Sequence, residues 1–529
     1  MNKSIVTTFV VLLLGACTVA PVAPTSGLTF FHLNDTYRVG AVEDGTAGGF
    51  SRVVTLAREA QAGGRDVRFL HGGDFLYPSL ESQLWHGLQM VDAFNFMNDV
   101  APLYAVAGNH EFDRRGPSRL IAAVNASEFA WLGDNYDFVT GDANTDNALQ
   151  KAFIFEHGAR RIGVFSLTLH GDDGGNTRAY VPVDRNYKQV AERVIAQLDA
   201  AGVDAIIGVT HLHMWTDTEI ATLKAKYPKF VFIVGGHEHE PQYYSGSADN
   251  AKVMKGASNA RLIWRIDLDF DASDNPVVTE QRITIDTSVA ADPDYDVLAD
   301  KWRGRLLERF PFLEARVGTA SVAMDAREEI IRTSETSWGN FVTDQMRIAF
   351  GDPAADLAFI NSGTLRIDDF IEDDIRFEDL GRTFGFSSFL RHTTLTGAEF
   401  RRVLEAGYRG GPESQGYFPQ VSGFRICVDP SRAEFDRIVS LQVPDDAGWR
   451  EIDPDREYTV VVSDFVYGGG DGYDIPKDRI ASRPASELKY LVLDAILRAQ
   501  AEGRSVGEAV TTDNRRFHRL REPKERCFE

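Results

Sequence analysis

Short apolar runs alternate with amphipathic segments over the first half of the chain. The runs are typical of buried strands and lie at positions 67–70, 103–106, 162–167, 205–209 and 230–234. Between them, apolar residues recur with helical spacing at positions 49–61, 84–98 and 187–200. Strands and helices that alternate in this way predict a mixed α/β domain with layered sheets.

The pattern changes after residue 290. Positions 292–309 are charged and have helical spacing, and apolar runs at 357–360, 423–428 and 458–463 follow them. The segment from Thr396 to Glu399 has the spacing of a capping box ahead of a helix. Because 529 residues exceed what one core usually organises, we predict two domains, 28–290 and 317–529, joined by a helical linker at 291–316.

The first seventeen residues have the pattern of a targeting segment. Lys3 is followed by an apolar stretch at positions 5–14, and Leu14-Gly15-Ala16-Cys17 closes it. This ending resembles a bacterial lipobox, which implies cleavage before Cys17 and lipidation of that cysteine. Thr18 in the next position resembles outer-membrane retention, so we expect an exported lipoprotein of the periplasm or cell surface, anchored to the outer membrane. An ordinary secretory signal is the alternative, and it too exports the protein.

Composition narrows the classes of partner. The formal charge of −22 and the pI near 5.0 oppose binding to a nucleic-acid polymer. A small phosphate ester can still bind where metals and arginines reverse the potential locally. After Cys17 only Cys427 and Cys527 remain, too few for a thiolate metal site, and whether they pair is left open. We expect a monomer.

Five polar clusters stand in glycine-rich loops or at predicted strand ends. Each offers oxygen or imidazole ligands, which suit divalent zinc, manganese, cobalt or iron. The clusters are Asn34-Asp35, Gly72-Gly73-Asp74, Gly108-Asn109-His110-Glu111, Thr210-His211 and Gly236-His237-Glu238-His239. Any one of them is weak evidence, but together and in this order they predict a metal-dependent enzyme.

These clusters resemble the metallophosphoesterase superfamily and, within it, the 5′-nucleotidase and UDP-sugar hydrolase family. The resemblance implies a four-layer β-sandwich flanked by helices, followed by a mixed α/β nucleotide-binding domain. It implies two metal ions that polarise a phosphoryl group and activate a water. The implied roles are first-metal ligands Asp35 and His239, second-metal ligands Asn109, His211 and His237, bridging ligand Asp74, and the catalytic dyad His110 and Asp113.

One position departs from that family. The family pattern is Asn-Asp-x-His, whereas this chain has Tyr37 in place of the histidine. The segment from Gly73 to Tyr77 also resembles the Gly-Asp-x-x-Tyr pattern of purple acid phosphatases, whose tyrosinate binds ferric iron. Tyr77 is therefore a tentative ligand of a mixed ferric and divalent pair. The alternative is that Tyr77 is a packing residue and that Tyr37 or water completes the site.

The second domain carries further residues of the same resemblance. It implies that Phe418 and Phe465 sandwich a nucleotide base, because aromatic rings stack on any base. It further implies that a set of polar residues contacts the ribose, base or phosphate, namely Arg332, Asn361, Arg366 and Asp471. The alternative is that both phenylalanines belong to the core.

The leading hypothesis is an exported 5′-nucleotidase-like phosphohydrolase with a nucleotide substrate. A UDP-sugar hydrolase or a 2′,3′-cyclic-nucleotide phosphodiesterase would use the same residues. A nucleotide-binding lipoprotein with impaired catalysis is the alternative of another class, because one histidine ligand is missing.

Overall fold

The computed structural model describes residues 27–171, 178–410, 415–446, 448–476, 478–479, 487–522 and 525–528. The targeting segment and Cys17 lie outside these residues. Within the described chain, no helix is both long and apolar enough to cross a membrane.

Two facing sheets form the centre of the first half of the chain. The strands are β1 (Leu28–Leu33), β2 (Asp66–His71), β3 (Leu103–Val106), β4 (Ala130–Leu132), β5 (Leu149–Gln150), β6 (Phe153–His157), β7 (Arg160–Thr168), β8 (Ala205–His211), β9 (Phe230–Gly235), β10 (Gln242–Tyr244), β11 (Lys252–Lys255), β12 (Leu262–Phe270) and β13 (Pro276–Thr284). One sheet has the order β13-β12-β1-β2-β3-β4-β5 and the other has the order β10-β11-β9-β8-β7-β6. The described strands β1 to β4 run parallel to one another, as do β7 to β9.

Helices cover the outer faces of both sheets. They are α1 (Phe50–Ala62), α2 (Leu80–Trp85), α3 (Leu88–Val100), α4 (Ser118–Ala126), α5 (Ala143–Asp146), α6 (Tyr187–Ala200) and α7 (Met214–Ala221). Helices α1 and α3 pack on the first sheet, and α6 and α7 pack on the second. Between the sheets, Phe30 meets Phe232 edge-on at a ring-centroid distance of 5.8 Å. The architecture is the four-layer α/β sandwich that the resemblance implied.

The helix expected at positions 84–98 is interrupted. His86 and Gly87 adopt left-handed backbone angles, with φ of 62° and 89°, so α2 ends at Trp85 and α3 begins at Leu88. Glycine favours such a conformation, and periodicity alone does not detect it.

Helix α8 (Pro293–Arg309) connects the two halves, and a second α/β unit follows it. Its strands are β14 (Arg316–Thr319), β15 (Met324–Asp325), β16 (Leu357–Asn361), β17 (Phe370–Ile371), β18 (Asp374–Arg376), β19 (Leu390–Thr396), β20 (Pro419–Ser422), β21 (Arg425–Val428), β22 (Ile438–Asp445), β23 (Gly448–Glu451), β24 (Glu457–Ser463) and β25 (Phe517–Arg519). Its helices are α9 (Glu328–Ile331), α10 (Ser337–Ile348), α11 (Phe377–Thr383), α12 (Gly397–Glu405), α13 (Asp464–Tyr467) and α14 (Leu488–Ala501).

Two four-stranded sheets, β19-β24-β16-β20 and β23-β22-β21-β25, organise this second unit. The capping box expected at Thr396 is present, with the Thr396 hydroxyl accepting from the Glu399 N–H and the Glu399 carboxylate accepting from the Thr396 N–H. Cys427 and Cys527 form a disulfide across 100 residues, which settles the pairing that the sequence left open.

Candidate metal centre

The polar clusters lie at one edge of the two central sheets. Asp35, Asp74 and Asn109 follow the parallel strands β1, β2 and β3, whereas His211 ends β8 and His237 follows β9. Carboxyl ends of parallel strands meet at the same edge of a sheet, which brings these loops together. The edge is therefore where a ligand site is expected from topology alone.

One group of side chains surrounds the Asn109 amide oxygen. This oxygen lies 3.1 Å from His211 Nε2 and 3.1 Å from His237 Nδ1. The Nδ1 atom of His211 lies 2.6 Å from the carbonyl oxygen of Gly72, a contact that directs Nε2 into the group. We call these three side chains the second metal position.

A second group of side chains surrounds Asp35. Its Oδ1 atom lies 3.5 Å from His239 Nε2 and 3.5 Å from the Tyr37 hydroxyl. The Tyr37 hydroxyl is also 3.1 Å from His239 Nε2. We call Asp35, Tyr37 and His239 the first metal position.

Asp74 stands between the two positions. Ligand atoms of Asp35, Asp74 and His211 all lie within 4.8 Å of one another, and all three residues are buried. The Asp74 Oδ2 atom is 3.4 Å from His211 Nε2. A buried set of carboxylate, amide and imidazole ligands fits one or two divalent cations of the zinc or manganese kind.

The backbone of this centre is strained. Three of the expected ligands, Asp35, Asp74 and His237, have left-handed φ angles of 52°, 61° and 83°. Such angles cost free energy for residues other than glycine and concentrate at functional sites. Close approach also requires Gly108, since a Cβ atom there would lie 2.1 Å from Asp74 Oδ1.

Glu111 holds two of the loops in place. Its carboxylate accepts backbone N–H bonds from Asp74, Phe75, Leu76 and Gly108, at 2.6 to 2.9 Å. Burial raises the pKa of Glu111 to about 7, and the nearby Asp74 charge adds to the rise. The four donors support the carboxylate form, so Glu111 positions the loop that carries Asp74.

Asp74 and His211 shift each other's pKa in opposite directions. Burial raises the pKa of Asp74, but His211 and His110 outweigh burial and hold that pKa well below its usual range. Burial lowers the pKa of His211, whereas Asp74 raises it, with a net value of about 9. A proton on His211 therefore balances the negative charge of Asp74. A bound cation would balance the same charge instead of that proton.

His110 and Asp113, which the resemblance paired as a dyad, are in contact. His110 Nδ1 lies 2.9 Å from Asp113 Oδ2, and His110 Nε2 lies 3.9 Å from Asp74 Oδ2. Burial lowers the pKa of His110, but Asp113 and Asp74 outweigh it and raise the pKa above its ordinary value.

Arginines of the second unit reach this centre. Arg366 Nη2 lies 2.9 Å from His110 Nε2, and Arg332 donates to Glu328 at 2.7 Å. Among the described residues, Arg332 Nε and Arg366 Nη1 are buried without a hydrogen-bond partner. Arg366 Nη1 forms only a longer ion pair with Glu328, at 3.6 Å. The two buried guanidiniums therefore keep donor capacity that suits an anionic ligand such as a phosphate.

The remaining expected substrate residues lie beside these arginines. Asn361 donates to Asp471 at 2.8 Å and accepts from Thr364 at 2.8 Å. Phe465 is 50 % exposed, whereas Phe418 is only 4 % exposed.

The ring of Phe418 packs edge-on against Tyr408 and Phe517 at 5.7 and 5.0 Å. Of the two expected clamp rings, Phe465 alone therefore presents a largely open surface in this structure. Phe418 belongs to the core, whereas the alternative interpretation placed both phenylalanines there.

Tyr77 is not at the metal centre. Its hydroxyl donates to the Gly385 carbonyl oxygen at 3.1 Å, and the Arg114 guanidinium lies 4.2 Å from its ring centroid. This corrects the tentative assignment of Tyr77 as a ligand, because its hydroxyl points to the second unit and Tyr37 occupies the first metal position.

Sequence reasoning missed Glu328 and Phe386. Glu328 is buried, contacts His239 Nδ1, and pairs with Arg332 four residues later on the same helical turn. The ring centroid of Phe386 lies 5.8 Å from that of His110 and 5.4 Å from the guanidinium carbon of Arg366. The four-residue spacing of Glu328 and Arg332 was a usable signal, whereas nothing local marks Phe386.

Comparisons with known proteins agree with this geometry. Residues 28–241 match the family model for calcineurin-like phosphoesterase, and residues 316–478 match the model for the 5′-nucleotidase C-terminal domain. The trifunctional nucleotide phosphoesterase protein YfkN of Bacillus subtilis is 25% identical over 500 residues, which are 86% of this chain and 33% of that protein. The chain thus spans a third of that relative's length.

Two further proteins are similar over most of their length. Human 5′-nucleotidase is 22% identical over 523 residues, 90% of this chain and 89% of that protein. The crystal structure of a 5′-nucleotidase precursor from Thermus thermophilus has a TM-score of 0.80 at 23% identity, covering 94% of this chain and 100% of that one.

The fold and the ligand cluster together define a calcineurin-like metallophosphoesterase. With its C-terminal domain, the chain belongs to the 5′-nucleotidase family of these enzymes and is a phosphoric monoester hydrolase. The resemblance seen in the sequence is confirmed.

Proposed function

We propose that this protein is an exported, lipid-anchored 5′-nucleotidase that uses two divalent metal ions to remove phosphate from nucleotides. The observation that carries the proposal is the contact between Arg366 and His110 at 2.9 Å. It joins a buried guanidinium of the nucleotide-type domain to the dyad at the metal centre. Substrate capture and phosphate transfer thereby share one site at the domain interface.

Each side chain has a role in this proposal. The metal ions would supply Lewis-acid polarisation of the phosphoryl group and activation of a water. Arg332 and Arg366 bind the phosphate oxygens, and His110, oriented by Asp113, donates a proton or hydrogen bond to the leaving oxygen. Phe465 stacks on the base.

Inorganic phosphate released from a substrate panel tests the proposed activity. The panel contains nucleoside 5′-monophosphates, a UDP-sugar, a 2′,3′-cyclic nucleotide and a simple aryl phosphate. We expect the monophosphates to be hydrolysed fastest, with loss of activity after chelation and recovery on adding zinc, manganese or cobalt. Preference for the UDP-sugar or the cyclic nucleotide would instead identify those alternatives.

Two variants sharpen this test. Asp74→Asn should abolish hydrolysis and reduce bound metal, because a neutral amide does not balance two cations. Asp99→Asn, at an exposed aspartate, is the control and should change neither quantity. Nucleotide binding without phosphate release under every metal tested would make the protein a binding lipoprotein.

The disulfide between Cys427 and Cys527 supports export, since such bonds persist in oxidising compartments. Cys17→Ser should move the protein from the membrane fraction to the soluble fraction of the cell envelope. A membrane fraction unchanged by this substitution would remove the lipid anchor from the proposal.

A further inference from the structure

The Tyr37 hydroxyl lies in the first metal position, beside two expected ligands. Its side chain is 7 % exposed, and its oxygen faces Asp35 and His239 from the loop after β1. The three donor atoms are separated by 3.1 and 3.5 Å. Ligands about 2.0–2.2 Å from one cation stand roughly 3–3.5 Å apart, so this spacing matches the edges of a coordination sphere.

Glu328 determines which nitrogen of His239 faces Tyr37. Its carboxylate contacts His239 Nδ1, and a carboxylate accepts an N–H from that nitrogen. Nε2, the atom next to the Tyr37 hydroxyl, is then the nitrogen left to bind a metal. Burial raises the pKa of the Tyr37 hydroxyl well above its ordinary value, so without a cation the phenol keeps its proton and donates it to Asp35 or His239. A cation bound between the three residues would replace that proton.

The two metal positions differ in the charge of their donors. With Asp74 shared, the first position offers two carboxylates, one phenol oxygen and one imidazole. The second position offers Asp74, one neutral amide and two imidazoles. Anionic oxygen donors favour hard, highly charged cations, whereas imidazoles suit softer divalent ions such as zinc.

We propose that Tyr37 is a phenolate ligand of the first metal position and makes that position selective for ferric iron, while the second position keeps a divalent ion. This inference rests on the two-metal centre of the proposed function. The phenol proton passes to solvent as the Fe³⁺–oxygen bond forms, so no electron transfer is required. Three anionic oxygens then balance the trivalent charge.

Visible absorption and resonance Raman spectroscopy test the assignment. Metal-stripped protein is loaded with ferric iron and then zinc, and the metals are measured by elemental analysis. We expect a tyrosinate-to-iron charge-transfer band with enhanced tyrosinate vibrations. Tyr37→Phe should lose the band and most of the iron, whereas the matched variant Tyr77→Phe should keep both.

Tyr37→His serves as a second variant and should load two divalent ions without colour. A colourless ferric-loaded wild-type protein, or a band that survives Tyr37→Phe, would overturn the inference. If Tyr37→Phe does not fold, the vibrational spectrum of the wild-type protein and the Tyr37→His variant still test the inference.

Phosphate release is measured separately. Hydrolysis by a colourless, divalent enzyme refutes only the iron assignment, whereas a coloured protein without hydrolysis refutes only the proposed function.

Discussion

His110 is the titratable residue at the junction of the two halves. Asp113 accepts from its Nδ1 side at 2.9 Å, and Arg366 faces its Nε2 atom at 2.9 Å. Burial opposes protonation of His110, but the charges of Asp113 and Asp74 raise its pKa. The Arg366 guanidinium opposes this rise, and because its N–H groups only donate, the contact in this structure places the lone pair of a neutral imidazole on His110 Nε2. The net rise in pKa lets the imidazolium, the form that donates a proton, persist to higher pH than in a free histidine.

Asp113→Asn should lower kcat and move the alkaline limb of its pH profile to lower pH. The sign follows from the charge, because removing the carboxylate lowers the His110 pKa and the protonated form is lost earlier as pH rises. The measurement is kcat for a nucleotide across pH, with Asp99→Asn as the control. An unchanged alkaline limb would show that His110 is not the proton donor.

Phe465→Ala should weaken nucleotide binding by about 1–3 kcal/mol, the usual worth of one stacked base. The exposed ring makes it the available stacking surface. KM for a nucleotide should rise while kinetics on a simple aryl phosphate stay unchanged. Phe435→Ala, at another exposed phenylalanine, is the control. If activity on the nucleotide and on the aryl phosphate fell equally, Phe465 would support the structure of the domain and would not stack on the base.

At the scale of elements, the end of β11 supports the loop that carries His237 and His239. Lys255 is fully buried and pairs with Asp217 at 3.1 Å and Glu238 at 2.5 Å. Its ammonium group also donates to the carbonyl oxygen of Gly236 at 3.0 Å. This buried network ties β11 to the ligand-bearing loop.

Lys255→Met should destabilise the protein by roughly 3–5 kcal/mol, because two buried carboxylates lose their counter-ion. Bound metal should also fall as the loop loses its anchor. Lys252→Met on the same strand is the matched control. Its partner Glu280 is partly exposed, and such a pair contributes about 0–1 kcal/mol. Urea unfolding of both variants makes the comparison, and equal stability losses would contradict the assigned role.

At the scale of the whole molecule, polar contacts join the two halves around the centre. Arg261 pairs with Asp368 and Arg303 pairs with Glu378, the latter at 2.7 Å. Gln83 donates to Gly385 at 2.7 Å, next to the Tyr77 contact. Arg366 meets His110 across the same boundary, so the proposed site lies where the halves meet.

The disulfide stabilises the second half. It closes a loop of 100 residues. By restricting the unfolded chain, such a cross-link should add roughly 4–5 kcal/mol to the free energy of unfolding. Replacing both Cys427 and Cys527 with alanine should lower the Tm of the transition that reports on this half. Reductant should lower the wild-type Tm similarly and leave the double variant unchanged. A wild-type transition insensitive to reductant would contradict this.

The sequence by itself determined the kinds of ligand and their loops. Asp35, Asp74, Asn109 and His211 each follow or end an apolar strand run, and the ends of parallel strands gather at one sheet edge. Local periodicity also located most strands and helices, but it did not detect the left-handed break at His86. Strand runs, helical spacing and the ligand types in each loop depend on residues close together in the chain, so they can be predicted from the sequence.

Tertiary structure alone decided which tyrosine stands at the metal centre. Tyr37 meets His239 across 202 residues, and Tyr77 meets Gly385 across 308 residues. The burial of Phe418 and the contact of Glu328 with His239 depend equally on how separate segments pack. Such contacts follow from the packing of whole domains, and no pattern within a single segment specifies them.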